Sequence, residues 1–379
     1  MLNRNDVSRI LSDLVRTELA RHRADALAVF ETGNGADLLS RLPRELLGEV
    51  FKKAAALFGY APREFSTFDL MTNYAYASFA KTGSVTFLTS GSTGEPKKCV
   101  HTREMIEEEA YGVAPVFNGV KRVVSLVPAS HLYGFTFTVA LPHVLAVPVL
   151  TLPALPTQSW DALLQEGDLV VGFPLFWGYF LRMQAKLPHG VQVLSSTAPC
   201  KDEIIRGLYS AGAAQFTEIY GASETGAMGF RHQAGEPFEL LPFWEIDTKE
   251  NQPKIRRRSQ PEWLLLPDYV DVSADGRFLR PLRRQDACVQ VAGVNVYPKH
   301  VEEVLEKHPA VKACRVRLMR PEEGERLKAF IVLNEGYTPE HLGIIRTYLA
   351  QRLTVHELPR TFTFGAELPA SALGKDADW

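Results

Sequence analysis

The chain has 379 residues, with 42 Lys plus Arg against 44 Asp plus Glu and a formal net charge of −2. That length allows two domains with sizeable cores, and the charge balance argues against a general nucleic-acid binder. Hydrophobic residues at 46% and charged residues at 23% are ordinary for a soluble globular protein.

The N-terminus, "MLNRNDVSRILSDLVRTELARHR", has no apolar core of signal-peptide type. Its spacing predicts an amphipathic helix with Val7, Ile10, Leu11, Leu14 and Val15 on one face. From Ser84 onward, strands and helices alternate. "SVTFLTS", "RVVSLVP", "VPVLTL", "DLVVGFP", "VQVLSS" and "QFTEIYG" read as strands, and "REMIEEEA", "LFWGYFLRMQAKL" and "KDEIIRGLYSAG" read as helices. Such alternation predicts βαβ units and a mainly parallel sheet, with ligands at the carboxyl ends of its strands. "FTFTVALPHVLAVPVLTLPAL" is the most apolar stretch, but His143 and three prolines interrupt it, so no membrane span is expected.

After residue 235, "FELLPFWEI", "KIRRRS", "EWLLLP" and "GRFLRPL" read as short antiparallel strands. The Arg256-Arg257-Arg258 run is expected on a solvated turn or strand face rather than at an anion site. From Pro298 a compact α+β unit follows. The expected class is α/β: a large N-terminal domain with mainly parallel sheets and a small β subdomain over 1–285, and a small α+β domain over 286–379. Cys99, Cys200, Cys288 and Cys314 show neither a CxxC pair nor metal-ligand spacing, which predicts reduced thiols and a cytoplasmic setting.

The most informative loop is "TSGSTGEPKK", residues 89–98. Thr89, Ser90, Ser92 and Thr93 bring hydroxyls, Gly91 and Gly94 admit close backbone approach, and Lys97 and Lys98 bring charge. These suit a phosphate group. The spacing fails the Walker pattern, because Pro96 stands where that loop needs its second glycine.

The loop resembles the phosphate loop of the adenylate-forming superfamily, which includes acyl- and aryl-CoA ligases. Six further stretches resemble that family's motifs in order: "VPASHLYG", "SSTAPCKDE", "EIYGASETG", "PDYVDVSADGRF", "RRQDACVQVAGVNVYP" and "LPASALGKDAD". The resemblance covers about three quarters of the chain, from residue 88 to the end. It implies ATP, Mg²⁺ and a carboxylic acid that is adenylated with release of pyrophosphate. A thiol then takes the acyl group, most simply CoA, with a carrier-protein phosphopantetheine as the alternative acceptor. A non-catalytic nucleotide-binding relative is the third reading.

By the same resemblance, Glu224 holds Mg²⁺, and a helix N-terminal acid is its competing role. Thr197, Ala198 and Pro199 line adenine, with Tyr220, Gly221, Ala222 and Ser223 at the nucleotide. Asp268 takes the ribose hydroxyls, with Asp271 as competitor. Arg284 reaches ribose or phosphate, and Arg283 is nearly equal by counting. His131 lies near the substrate carboxylate or is a core histidine. Lys375 bridges carboxylate and α-phosphate, and Asp286 is the hinge on which the small domain turns. Gln290 departs from the lysine that many relatives carry.

Only residues 1–87 precede the motif region, and that compactness is similar to phenylacetate–CoA ligases and other compact aryl ligases. The aromatic residues of "HLYGFTF", "FPLFWGYF" and "YGASETGAMGF" suit a flat aryl acid, and a medium-chain acyl acid equally.

Overall fold

The computed structural model describes residues 2–22, 39, 42–89, 97–153, 159–248, 253–266, 268–284, 288–320 and 322–369. The chain divides into two compact units, with the division at Leu282/Arg283.

Among the described residues the first unit opens with α1 (Arg4–His22), α2 (Arg44–Phe58) and α3 (Phe68–Thr82). Val7, Ile10, Leu11, Leu14 and Val15 of α1 are all buried in one apolar cluster, as their spacing predicts. Thr67 caps α3 by accepting the Leu70 N–H. Next come β1 (Ser84–Thr89) and β2 (Lys97–Thr102), which pair antiparallel with Thr89 opposite Lys97. This corrects the expectation that the phosphate loop leaves a strand of the parallel sheet. Residues 90–96 instead join the two strands of a hairpin. The Walker loop runs from strand to helix, so the topology argues against it independently of spacing.

Helix α4 (Arg103–Val113) follows, with Thr102 as its cap. Then β3 (Arg122–Ser125) leads into α5, a run of Leu132–Phe135, a π-helical stretch Thr136–Ala140, and Leu141–Leu145. The strands β4 (Val149–Thr151), β5 (Asp168–Gly172), β6 (Gln192–Ser195) and β7 (Gln215–Ala222) run parallel with β3. Helices α6 (Pro174–Arg182) and α7 (Asp202–Ser210) connect them. Antiparallel strands β8 (Gly226–Arg231), β9 (Phe238–Leu240), β13 (Asp268–Val272) and β14 (Phe278–Arg284) extend the sheet to nine strands. The strands β10 (Trp244–Asp247), β11 (Lys254–Arg257) and β12 (Leu264–Leu265) form a separate three-stranded sheet.

Both faces of the parallel sheet are covered, so its strands read as continuous apolar runs. Val123, Leu169, Val171, Leu194 and Ile219 point into one core, and Val124, Val170, Val193 and Phe216 into the other. The register places like with like: Val124 faces Val170, Val170 faces Val193, and Val193 faces Phe216. Each such side chain contributes roughly 1.5–3 kcal/mol by leaving water.

The second unit holds the hairpin β15 (Val289–Val291) and β16 (Val294–Val296), then α8 (Pro298–Glu306). A sheet of β17 (Val311–Leu318), β18 (Leu327–Leu333) and β19 (Thr361–Phe364) follows, with α9 (Leu342–Ala350) before its last strand. Its core includes Val301, Leu305, Cys314, Ile331, Ile345 and Leu349.

Candidate active site

Of the described site residues, His131, Thr197–Pro199 and Tyr220–Glu224 follow or end β3, β6 and β7 at their carboxyl ends, Lys97 begins β2 and Asp268 begins β13. Pairing of Ser195 with Glu218 sets the segment after β6 beside the end of β7. There Ser196 Oγ donates to the Ile219 carbonyl at 3.0 Å. Thr197 follows with φ +78°, a left-handed backbone that a β-branched residue adopts only at a cost of order 1–3 kcal/mol. Thr197 and Pro199 are exposed and Ala198 is half-buried, so the segment presents a face to solvent.

Tyr220 sits at the end of β7, half-buried, its ring tilted against Phe238 with centroids 5.5 Å apart. Its hydroxyl donates to Asp268 Oδ2 at 2.6 Å. Asp268 is buried on β13, whereas its competitor Asp271 is exposed. Two residues 48 apart in sequence, expected at adenine and at ribose, therefore touch.

Gly221 packs so closely that a Cβ there would lie 2.3 Å from the Gly226 carbonyl oxygen. Ala222, Ser223 and Glu224 are half-buried in the turn between β7 and β8. A strand follows Glu224, not a helix, which removes its competing role as a helix N-terminal acid. Glu224 Oε1 meets Lys97 Nζ at 3.0 Å, with the side chains 36% and 61% exposed. Such an exposed pair is worth about 0–1 kcal/mol, so an incoming polyanion separates it easily.

His131 is exposed at the start of α5, not in the core. The buried imidazole near the site is His101, 1% exposed, whose Nε2–H donates to the Ser223 carbonyl at 2.8 Å. Burial lowers its pKa, opposed by the charge of Glu109 and the bond to Ser223. The side chains of Thr89 and Arg284, and residues Ser90, Gly91, Ser92, Thr93, Gly94, Asp286 and Lys375, lie outside the described residues. Gln290, on β15, donates to Asn295 Oδ1.

Two further expectations are corrected. Arg257 is not solvated: it is 2% exposed, bonded to Glu108 and Glu109, and stacked on Phe243 and Trp244. Only Arg256 and Arg258 of the run lie outward, because β11 alternates Ile255 and Arg257 inward. The aromatic residues assigned to a substrate pocket are largely core: Phe135, Phe137, Phe176, Trp177 and Phe180 are each 1–3% exposed. Tyr133, Phe173 and Tyr179 remain half-buried. A cavity of ≈ 620 Å³ near the start of β7 is lined by Asn118, Gln215, Trp244 and Arg277, and by Phe230 of the third aromatic stretch.

All four cysteines are buried and outside any disulfide, and burial pushes the Cys200 thiol up to about 12. No helix among the described residues is long and apolar enough to cross a membrane. Among the described residues no cluster of three or more His, Cys, Asp or Glu side chains could hold a metal. Mg²⁺ is commonly held by one or two carboxylates plus substrate phosphates, and the accessible carboxylate of Glu224 fits that donor set.

Residues 80–254 match the family model for AMP-binding enzymes, and residues 300–375 match the C-terminal domain of the same enzymes. The chain is 34% identical to a 4-coumarate–CoA ligase of Rhodobacter capsulatus, over 98% of this chain and all of that one. It is 36% identical to a 4-coumarate–CoA ligase of Halorhodospira halophila, over 78% of this chain and 75% of that one. An o-succinylbenzoate CoA synthetase of Bacillus subtilis shares the fold with a TM-score of 0.65 at 20% identity, covering 77% of this chain and 67% of that one. The chain belongs to the AMP-binding enzyme family, and within it to the adenylate-forming acyl/aryl-CoA ligases.

Proposed function

We propose that the protein activates an aryl carboxylic acid of the hydroxycinnamate type with ATP and passes the acyl group to CoA. The observation that carries this reading is that the carboxyl end of β7 joins Tyr220 to Asp268 and, four residues on, Glu224 to Lys97. Identity of 34% over 98% of this chain to one 4-coumarate–CoA ligase, and of 36% over 78% to another, supports the aryl substrate over a medium-chain acid.

In this reading Tyr220 and the 197–199 segment flank adenine, and Asp268 accepts from the ribose hydroxyls. Lys97 turns from Glu224 to the leaving pyrophosphate, which exposes the Glu224 carboxylate to Mg²⁺. The metal ion, when bound, offsets charge developing on the phosphates. Lys375 bridges carboxylate and α-phosphate, and Arg284 reaches the ribose. Rotation at Asp286 then withdraws Lys375 so that the thiol can enter. His131 lies at the mouth of α5, where the acid enters.

A panel of hydroxycinnamic, benzoic and medium-chain acids, assayed for acyl-CoA formation, tests the proposal. Turnover is expected to be fastest with a hydroxycinnamate. A preference for a medium-chain acid overturns the substrate, and product only with a phosphopantetheinyl carrier protein overturns the acceptor.

A further inference from the structure

Three loops at these strand ends are held by buried carboxylates, two of them outside the quoted motifs and one, Glu218, opening the motif "EIYGASETG". Asp13 of α1, 5% exposed, accepts the Ala129 N–H with Oδ2 at 2.9 Å. Ala129 lies in the loop that carries His131 from β3 to α5. Glu218 of β7, 2% exposed, accepts the Cys200 N–H with Oε1 at 2.7 Å, directly after the 197–199 segment. Glu109 of α4, 3% exposed, accepts the Ala227 N–H with Oε1 at 3.0 Å, directly after the Glu224 turn.

Each carboxylate gives its other oxygen to an arginine. Asp13 Oδ1 meets Arg16 at 3.3 Å, Glu218 Oε2 meets Arg231 at 2.7 Å, and Glu109 Oε2 meets Arg257 at 3.3 Å. The third anchor grips its turn once more, and its Oε1 also accepts from Thr136 Oγ1 of α5 at 3.2 Å. Arg257 Nη2 donates to the Thr225 carbonyl at 3.2 Å. Gly226, at φ +78°, leaves room for Glu109 where a Cβ would lie 2.1 Å from Oε2.

Burying a carboxylate–arginine pair is a weak route to stability, since apolar residues of like volume often do as well. What the pair supplies is a fixed acceptor for one backbone N–H, which an apolar side chain cannot. We infer that Asp13, Glu218 and Glu109 are positioning residues, each fixing a different ligand-binding loop: the acid loop, the adenine segment and the Mg²⁺ turn. This rests on the reading of these strand ends as an acid–ATP site. The assignment predicts three separate kinetic signatures rather than one shared loss.

The test uses Asp13→Asn, Glu218→Gln and Glu109→Gln in the full chain. Each amide keeps one acceptor oxygen, for which the backbone N–H and the arginine now compete. Asp13→Asn is expected to raise KM for the acid, Glu218→Gln KM for ATP, and Glu109→Gln the Mg²⁺ concentration for half-maximal rate. Each shift is expected to be about fivefold, as for one weakened hydrogen bond. Hydrogen exchange is read alongside, in peptides spanning Ala129, Cys200 and Ala227. Protection should fall in the anchored loop of each variant and stay unchanged in the other two.

Equal effects of the three variants on kcat or overall stability, with KM values, Mg²⁺ dependence and loop-specific exchange unchanged, overturn the inference. If the unmodified chain shows no acid-dependent exchange of pyrophosphate into ATP, the acid–ATP reading fails instead. Hydrogen exchange then still decides whether each carboxylate anchors its own loop.

Discussion

At Glu224 a partly exposed carboxylate holds a lysine at 3.0 Å on a turn built for neither helix nor core. The turn's position comes from buried groups below it, and the exposed pair adds little. Glu224→Gln removes charge while keeping size. It is expected to raise the Mg²⁺ requirement of adenylation about tenfold, or about 1.4 kcal/mol. An unchanged Mg²⁺ titration would remove Glu224 as the metal-holding group. His101 gives a second residue-level expectation, from a pKa below the ordinary 6.5 through burial. The charged groups acting on it are Glu109, Glu224 and Arg257. The unfolded chain then binds the proton that folded His101 refuses. Stability is therefore fully present above pH 6.5 and falls as pH drops toward the folded-state pKa, by at most about 1.4 kcal/mol per pH unit. His101→Gln keeps a donor for Ser223 and removes the titration. Urea midpoints at two pH values, about 7.5 and 5.5, should fall further in the native chain than in His101→Gln. Equal falls would contradict the buried neutral imidazole.

At the scale of elements, the β7–β8 turn tests how closely the anchor fits. Gly226→Ala demands both a left-handed alanine and room against Glu109 Oε2. The cost is expected to be at least about 2 kcal/mol, read as a lowered thermal midpoint. Retention of the native midpoint would show that the turn yields. The same elements show what the sequence makes legible. The parallel strands could be read because burial on both faces leaves continuous runs such as "LVVG". The β1–β2 hairpin could not, because an apolar run does not say which strand it pairs with. Glu109 left a readable trace: it stands among Ile106, Ala110 and Val113 on the buried face of α4. Arg257 left one as well, two residues after buried Ile255 on a strand. A charge in an apolar register marks a buried partner, and the neighbouring arginines masked that signal. Aromatic content misled in the other direction, since Trp177 and Phe180 pack α6 onto the sheet.

At the scale of the molecule, Tyr220, Glu224 and Asp268, the proposed nucleotide and metal groups on β7, its turn and β13, lie in the first unit, and the proposed Lys375 belongs to the second. That separation makes the two half-reactions separable. Lys375→Ala is expected to slow adenylation at least about a hundredfold, as for loss of a transition-state contact. Thioester formation from supplied acyl-adenylate should continue. Equal loss of both steps would move Lys375 out of its proposed role. The central claim is that this chain joins a carboxylate to the α-phosphate of ATP before any thiol acts. Exchange of labelled pyrophosphate into ATP, measured without CoA, tests it most directly. Exchange is expected to require both an aryl carboxylic acid and Mg²⁺. No exchange with any aryl or acyl acid in the presence of Mg²⁺ would contradict it.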